Sequence, residues 1–263
     1  MPKLRKQRGS IAHVHDAGIK GVMRLQRFMA MCGVASRRGC EELIREGRVI
    51  VNGKTAQIGQ TVDPARDRII FDSTRLGLPK AFLYLMMNKP KGLLCTAKDP
   101  EGRPTVYSLL PPLPAPLHSV GRLDFNSEGL LLFTNDGELT AALTHPSRGI
   151  ERVYEVKIQG DLFDSVLSRI NKGIRLEDGP VKLDCKFIRR AQTNTWWRVT
   201  LAEGRYREVR RIFSAIGVNV LKLKRVSFGP IVLGSLKPGA TRELSALEIE
   251  ALKRRSPRKL GPR

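Results

Sequence analysis

One stretch of the chain concentrates residues suited to chemistry: His118-Ser119-Val120-Gly121-Arg122-Leu123-Asp124-Phe125-Asn126-Ser127-Glu128-Gly129, polar, bounded by glycines and leading into the apolar run Leu130-Leu131-Leu132-Phe133. A carboxylate on a loop held against a rigid strand suits a nucleophile or a base. Asp124 is the candidate, because it has an arginine two residues before it and an apolar residue on each side, a setting that predicts half-burial. Composition alone also allows a turn aspartate bonded to its own backbone. A second stretch, Glu203-Gly204-Arg205-Tyr206-Arg207-Glu208-Val209-Arg210-Arg211-Ile212-Phe213, supplies cations. Its spacing predicts a helix over 206–216 that buries Val209, Ile212, Phe213 and Ile216. At 100° per residue Arg207 and Arg211 fall on the far side, and Arg210 falls at the edge of the buried face, where it is placed to pair with a carboxylate.

Other chemistries fit poorly. Cys32, Cys40, Cys95 and Cys185 form no C-x-x-C pair, and His13, His15, His118 and His145 supply no zinc spacing, so no metal site is expected. The cysteines read as reduced core residues of a cytosolic protein. The glycines form neither G-x-x-x-x-G-K nor a strand-anchored G-x-G-x-x-G. Glycoside hydrolysis by paired carboxylates would need Glu128 as the second acid, and nothing else suggests a sugar polymer.

These loops must be carried by a scaffold. Residues 82–87, 129–134, 153–158, 181–188, 196–201 and 218–226 read as strands, and residues 105–110, 137–144 and 162–171 as helices. Adjacent strands mixed with isolated helices predict an α+β fold with a mostly antiparallel sheet. Upstream, Leu25, Phe28, Met29 and Cys32 mark one face of a helix that Gly33 can end; Ser36 is placed to cap a second helix with Leu43 and Ile44, closed by Gly47. Val49 and Val51, the turn at Asn52-Gly53 and the run Ile69-Ile70-Phe71 complete a small sheet. The resulting boundaries are a disordered basic extension over 1–22, a small unit over 23–72, a linker over 73–81, a large domain over 82–252 and a disordered basic tail over 253–263.

Charge indicates the partner. The 263 residues hold 47 Lys and Arg against 25 Asp and Glu, a formal net charge of +22. Such an excess points to a polyanion. A membrane is the weaker option, since the sequence has no run of 18 apolar residues and no signal-peptide core in Met1 to Met23. The segments 1–22, 23–78, 79–252 and 253–263 carry +4, +4, +8 and +6. In the small unit Arg24, Arg27, Arg37, Arg38, Arg45 and Arg48 read as an RNA-binding face. Arg37 and Arg38 open the second helix, where cations oppose the helix dipole and an anionic partner would offset the cost.

The run Leu25 to Phe28, Gly33 to Arg38 and Ile44 to Gly53 resembles the α-L (S-four type) RNA-binding module, which does no chemistry. Met87-Asn88-Lys89-Pro90-Lys91-Gly92, Gly121-Arg122-Leu123-Asp124, Asn126 to Leu131, Thr134-Asn135-Asp136-Gly137, Leu143 to Pro146, Tyr154-Glu155-Val156 and Glu203 to Arg211 together resemble the bacterial ribosomal RNA pseudouridine synthases of the RsuA/RluB type. The resemblance implies a cofactor-free isomerase acting on ribosomal RNA as a cytoplasmic monomer. In it Asp124 matches the essential aspartate, Arg122 the arginine associated with flipping the target, Tyr154 the tyrosine that stacks on uracil, and Arg210 the cation that pairs with the aspartate. Val209 matches an apolar wall, and Lys89, Arg205 and Arg207 are further substrate-binding candidates. The fuller resemblance favours large-subunit RNA, with a small-subunit enzyme or a non-catalytic assembly factor as alternatives. Members commonly read Asn-Arg-Gln-Val-Arg-Arg over 206–211, so Tyr206 and Glu208 depart from the pattern.

Overall fold

The computed structural model describes residues 15–16, 19 and 21–255. The chain divides into two compact units, residues up to 83 together with 112–117, and residues 84–111 together with 118 onward.

In the first unit the helices Leu25–Met31 and Arg37–Arg45 form where the apolar spacing requires them, and Ser36 Oγ accepts from the Gly39 amide at 3.1 Å to cap the second. The strand Val49–Val51 turns through Asn52 (φ 53°) and Gly53 (φ 81°) into Lys54–Thr55, two left-handed residues being what a tight hairpin needs. Ile69–Phe71 pairs with Val49–Val51, and Leu25, Phe28, Met29, Cys40, Ile44 and Val49 form the core. The expected linker is largely part of this unit. Thr74–Arg75 adds a strand beside Ile69–Phe71, and Ala81–Phe82 pairs with His15–Asp16, inside what reads from sequence as a disordered extension. Backbone pairing needs no apolar period, so two-residue strands leave no trace in composition.

The second unit is built on one sheet with the order Leu183–Ala191, Asn194–Leu201, Arg152–Gln159, Val220–Phe228, Glu128–Thr134, Tyr84–Lys89, Thr241–Glu243. Its pairings are antiparallel except that Glu128–Thr134 runs parallel to Val220–Phe228, so the mostly antiparallel α+β reading holds. Side chains 156, 158, 197, 199, 201 and 223 point to one face, where Val209, Ile212 and Phe213 of the helix Glu208–Ala215 cover them. The parallel contact depends on Gly129, because a Cβ there would lie 2.1 Å from the Arg225 carbonyl oxygen. Among the elements that escape the sequence reading are the strand His118–Val120, the hairpin Ile174–Leu176 with Gly179–Val181, the strand Thr241–Glu243 and the helix Ala246–Arg254. That helix, capped by Ser245 and Glu248 in a reciprocal box, carries Lys253 and Arg254, so the basic tail begins later than position 253. Residues 256–263 lie outside the described residues, as does most of the 1–22 extension.

Candidate active site

Asp124 sits in the loop between the strands His118–Val120 and Glu128–Thr134, with its side chain 28% exposed. Its carboxylate does not cap its own turn, which leaves the structural reading of this aspartate without support. The loop is held from below by Lys89, wholly buried at the end of Tyr84–Lys89, whose ammonium donates to the carbonyls of Pro90, Asp124, Phe125 and Ser127 at 2.9 to 3.3 Å. Further ties come from the Gly92 amide to the Phe125 carbonyl and from the Leu123 amide to Cys95 Sγ at 3.4 Å. Burial pushes the Lys89 ammonium below its ordinary pKa, while the charges of Asp124 and Glu128 oppose that shift. In the structure the Lys89 ammonium is engaged by backbone carbonyls and does not line the cavity above the loop, so its visible contacts are to the loop.

The arginines divide their tasks differently from the sequence reading. Arg207 Nη1 lies 3.6 Å from Asp124 Oδ2, whereas Arg210 donates to the Val220 carbonyl at 3.2 Å and to the Asn126 carbonyl at 3.4 Å. The helix starts at Glu208, and Arg207 precedes it in the left-handed conformation (φ 48°), so counting from an assumed start at 206 points Arg207 the wrong way. A non-glycine residue held there is strained, and such strain collects at functional sites. Arg210 ties the helix to the residue two beyond Asp124, and burial pushes its pKa down. Arg205 lines that cavity, and its guanidinium also pairs with Glu203 at 2.6 Å and bonds the carbonyls of Asp178, Gly179 and Pro180, fastening the hairpin 174–181 to the turn before the helix.

Above the loop lies a cavity of about 140 Å³. Roughly 150 Å³ is enough to accept one benzene ring. Asp124, Arg122, Tyr154, Arg205, Arg207 and Val209 all line it, so it gathers six of the expected residues. Tyr154 comes from the strand Arg152–Gln159, where the register against Val220–Phe228 slips between Val153 and Tyr154. Such an irregularity re-aims a side chain. Val209, Leu201 and Leu223 give apolar walls, and Arg122 is exposed at the rim.

The same cavity is lined by Arg152, Arg225 and Ser127, which the sequence reading missed, and by Glu208, which it noted only as a departure from the family pattern. Arg152 and Arg225 are 8% and 3% exposed and both lie over the Phe228 ring, at 5.2 and 5.1 Å from its centroid. Arg152 bonds the Ile150 carbonyl at 2.7 Å and fills the space beside Gly204, where a Cβ would lie 3.0 Å from its Cζ. Parity could have found both: Arg152 shares its face with Tyr154, Val156 and Ile158, and Arg225 with Leu223. Burial raises the Glu208 carboxyl above its ordinary pKa, and a bond from the Arg205 amide at 3.2 Å with the charges of Arg205 and Arg152 opposes the rise. Among the described residues no group of three or more metal-ligating side chains occurs, and no helix is long and apolar enough to cross a membrane.

In the first unit Arg24, Arg37, Arg38, Arg45 and Arg48 are exposed and Arg27 is half-buried. Arg48 is committed to Asp72 and Glu46 and lies over Phe71, and Arg24 bonds the Gly59 carbonyl, so these two are not simple phosphate contacts. Arg37, Arg38 and Arg45 form no ion pair among the described residues.

A family model described as RNA pseudouridylate synthase matches residues 83–215, and one described as the S4 domain matches residues 23–69. The chain is 44% identical over 239 residues to the ribosomal large subunit pseudouridine synthase B of Pseudomonas aeruginosa, a match covering 87% of this chain and 61% of that protein. It is 44% identical over 238 residues to the protein of the same description from Escherichia coli strain K12, covering 88% and 82%. A crystal structure of a pseudouridylate synthase superposes with a TM-score of 0.62 at 34% identity, covering 88% of this chain and 99% of that one.

Proposed function

The chain belongs to the RNA pseudouridylate synthase family, and from that premise we propose that it isomerises a uridine of large-subunit ribosomal RNA to pseudouridine, with the cavity over Asp124 as the site. The observation that carries the reading is the meeting of Asp124, Tyr154 and Arg207 around one ring-sized cavity. Large-subunit RNA is favoured over small-subunit RNA because relatives 44% identical are named for it. The setting that follows is the cytoplasm, with the protein acting as a monomer on RNA.

Isomerisation breaks the bond from uracil N1 to ribose C1′, turns the base, joins C5 to C1′ and releases the C5 proton, while N1 gains a proton. Atoms and charge balance within the nucleotide, so the reaction calls for no cofactor. Asp124 acts on the ribose, either by attack on C1′ or by taking a sugar proton so that uracil departs. In both routes the carboxylate is the acting group, and the Arg207 guanidinium stands 3.6 Å from it. Tyr154 supplies a face on which the detached base stays stacked. Extruding the nucleotide costs a few kcal/mol, and Arg122 at the rim is placed to hold the displaced strand. In the S4 module Arg37, Arg38 and Arg45 hold structured RNA by phosphate geometry. RNA tritiated at uracil C5 should release label with the wild-type protein and none with Asp124→Ala; equal release from both removes Asp124 from the chemistry.

A further inference from the structure

The large sheet has a second face, away from the cavity. Arg152, Tyr154, Leu201, Leu223 and Arg225 line the cavity, so the side chains that alternate with them along the same strands point the other way. Strand register sets those side chains out in rows. One row runs Lys186, Arg198, Glu155, Lys224, Glu128, so that acids and cations are interleaved. Glu155 stands 3.8 Å from Arg198, and Lys186 is paired with Asp184 at 2.8 Å. The adjacent row runs Arg189, Trp196, Lys157, Lys222 and holds no acid. Beyond it Ala191, Asn194 and Gln159 are uncharged.

This second row is costly to the sheet. Lys157 stands directly opposite Lys222, and like charges so placed are destabilising. Among the described residues Arg189, Lys157 and Lys222 form no ion pair. Charges on an edge strand guard against unwanted pairing, but Lys157 and Lys222 belong to the interior strands Arg152–Gln159 and Val220–Phe228. Arg189, exposed, lies over the Trp196 ring at 5.3 Å from its centroid, which fixes the guanidinium plane and leaves its N–H groups on offer. Three strand spacings make the row about 14 Å long, too wide for its cations to converge on one small anion. An extended polyanion fits it.

We propose that Arg189, Lys157 and Lys222 hold the phosphate backbone of a second segment of the RNA substrate, remote from the target nucleotide. This goes beyond the preceding reading and rests on it. The target enters on one face of the sheet, so the row on the other face meets a different part of a large folded RNA. Its contacts are to phosphate, and they orient the RNA without reading its bases.

The test uses the full chain, large-subunit ribosomal RNA tritiated at uracil C5 with the modified uridine mapped, and a short hairpin carrying only that uridine and its stem. The triple variant Lys157→Gln, Arg189→Gln, Lys222→Gln should bind the full-length RNA about 30-fold more weakly at low salt and flatten the slope of log K against log salt by about 0.7 to 0.9 per lost phosphate contact. On the hairpin its Kd should stay within about twofold of wild type. Hydroxyl-radical footprinting of the wild-type complex should show a protected segment away from the target that the variant loses, while protection at the target persists. Lys186→Gln, whose cation is already paired, should weaken binding by less than about twofold. Lys157→Gln alone should leave the melting temperature unchanged or higher, because it relieves the opposed charges. If the triple variant keeps the wild-type affinity and footprint, or loses the same factor on the hairpin, this inference fails and the functional reading stands. If wild type releases no tritium from any ribosomal RNA, the functional reading falls and this inference with it.

Discussion

The two units use the same side chain in opposite ways. In the S4 module Arg37, Arg38 and Arg45 stand exposed without ion pairs among the described residues, while in the catalytic unit Arg152 and Arg225 are almost fully buried over the Phe228 ring and bonded to carbonyl oxygens. Exposed cations act at a distance, exchange with salt and tolerate rearrangement. A buried guanidinium holds one position, because each donor it turns away from its partner is costly to leave unmade. Under the proposed function the exposed arginines of the first unit serve affinity for RNA and the cavity of the second unit receives the nucleotide. Glycines repeat the contrast: Gly53 (φ 81°) has no atom within 4 Å of its would-be Cβ, whereas Gly129 (φ 106°) has the Arg225 backbone against it.

The contrast is open to attack at several points, in descending order of expected effect. Asp124→Asn should lower tritium release by at least about a thousandfold while the Kd for RNA measured by filter binding stays within about twofold. A matching loss of binding would merge the two tasks that the units divide. Gly129→Ala should destabilise by about 4 kcal/mol, since the new Cβ meets backbone and the φ is strained, and denaturant unfolding would measure it. Gly53→Ala, strained but unobstructed, should cost about 1 kcal/mol in the same assay. Equal costs at the two glycines would break the comparison. Paired replacement Arg37→Gln with Arg38→Gln should weaken RNA binding about tenfold at low salt and flatten the slope of log K against log salt by roughly 0.7 to 0.9 per lost phosphate contact. At saturating RNA its kcat should match wild type, and a fall in kcat would place these arginines in the chemistry.

Much of the fold was readable because it rests on local rules. The helix Arg37–Arg45 starts at Ser36, the turn at Asn52-Gly53 needs two left-handed residues, and the apolar parity of 153–158 and 196–201 marks paired strands. Residues 174–181, 241–243 and 246–254 went unread because the first two are short and held by pairing, and the last carries a capping box followed by a weakly apolar face. Of the residues that the sequence singled out, Asp124, Tyr154, Arg122, Val209, Arg205 and Arg207 line one cavity. The hydrogen-bond partners of Lys89, Arg205 and Arg210 were not legible, because a cation's partner is set by what the fold brings beside it: backbone carbonyls for Lys89 and Arg210, and both carboxylate and carbonyl for Arg205.

By itself the sequence determined a basic chain of two parts, the α+β class, the Gly-bounded loop carrying Asp124 and the face on which each strand buries its side chains. Periodicity, capping and turn chemistry act within a few residues, so they are written locally. Only the tertiary structure decided that Arg207 meets Asp124, that Lys89 supports the loop from beneath, and that Ser127, Glu208 and Arg225 converge on one cavity. Those relations depend on strand register and on where a helix begins. A shift of one residue in either turns a side chain to the other face, which no local rule controls.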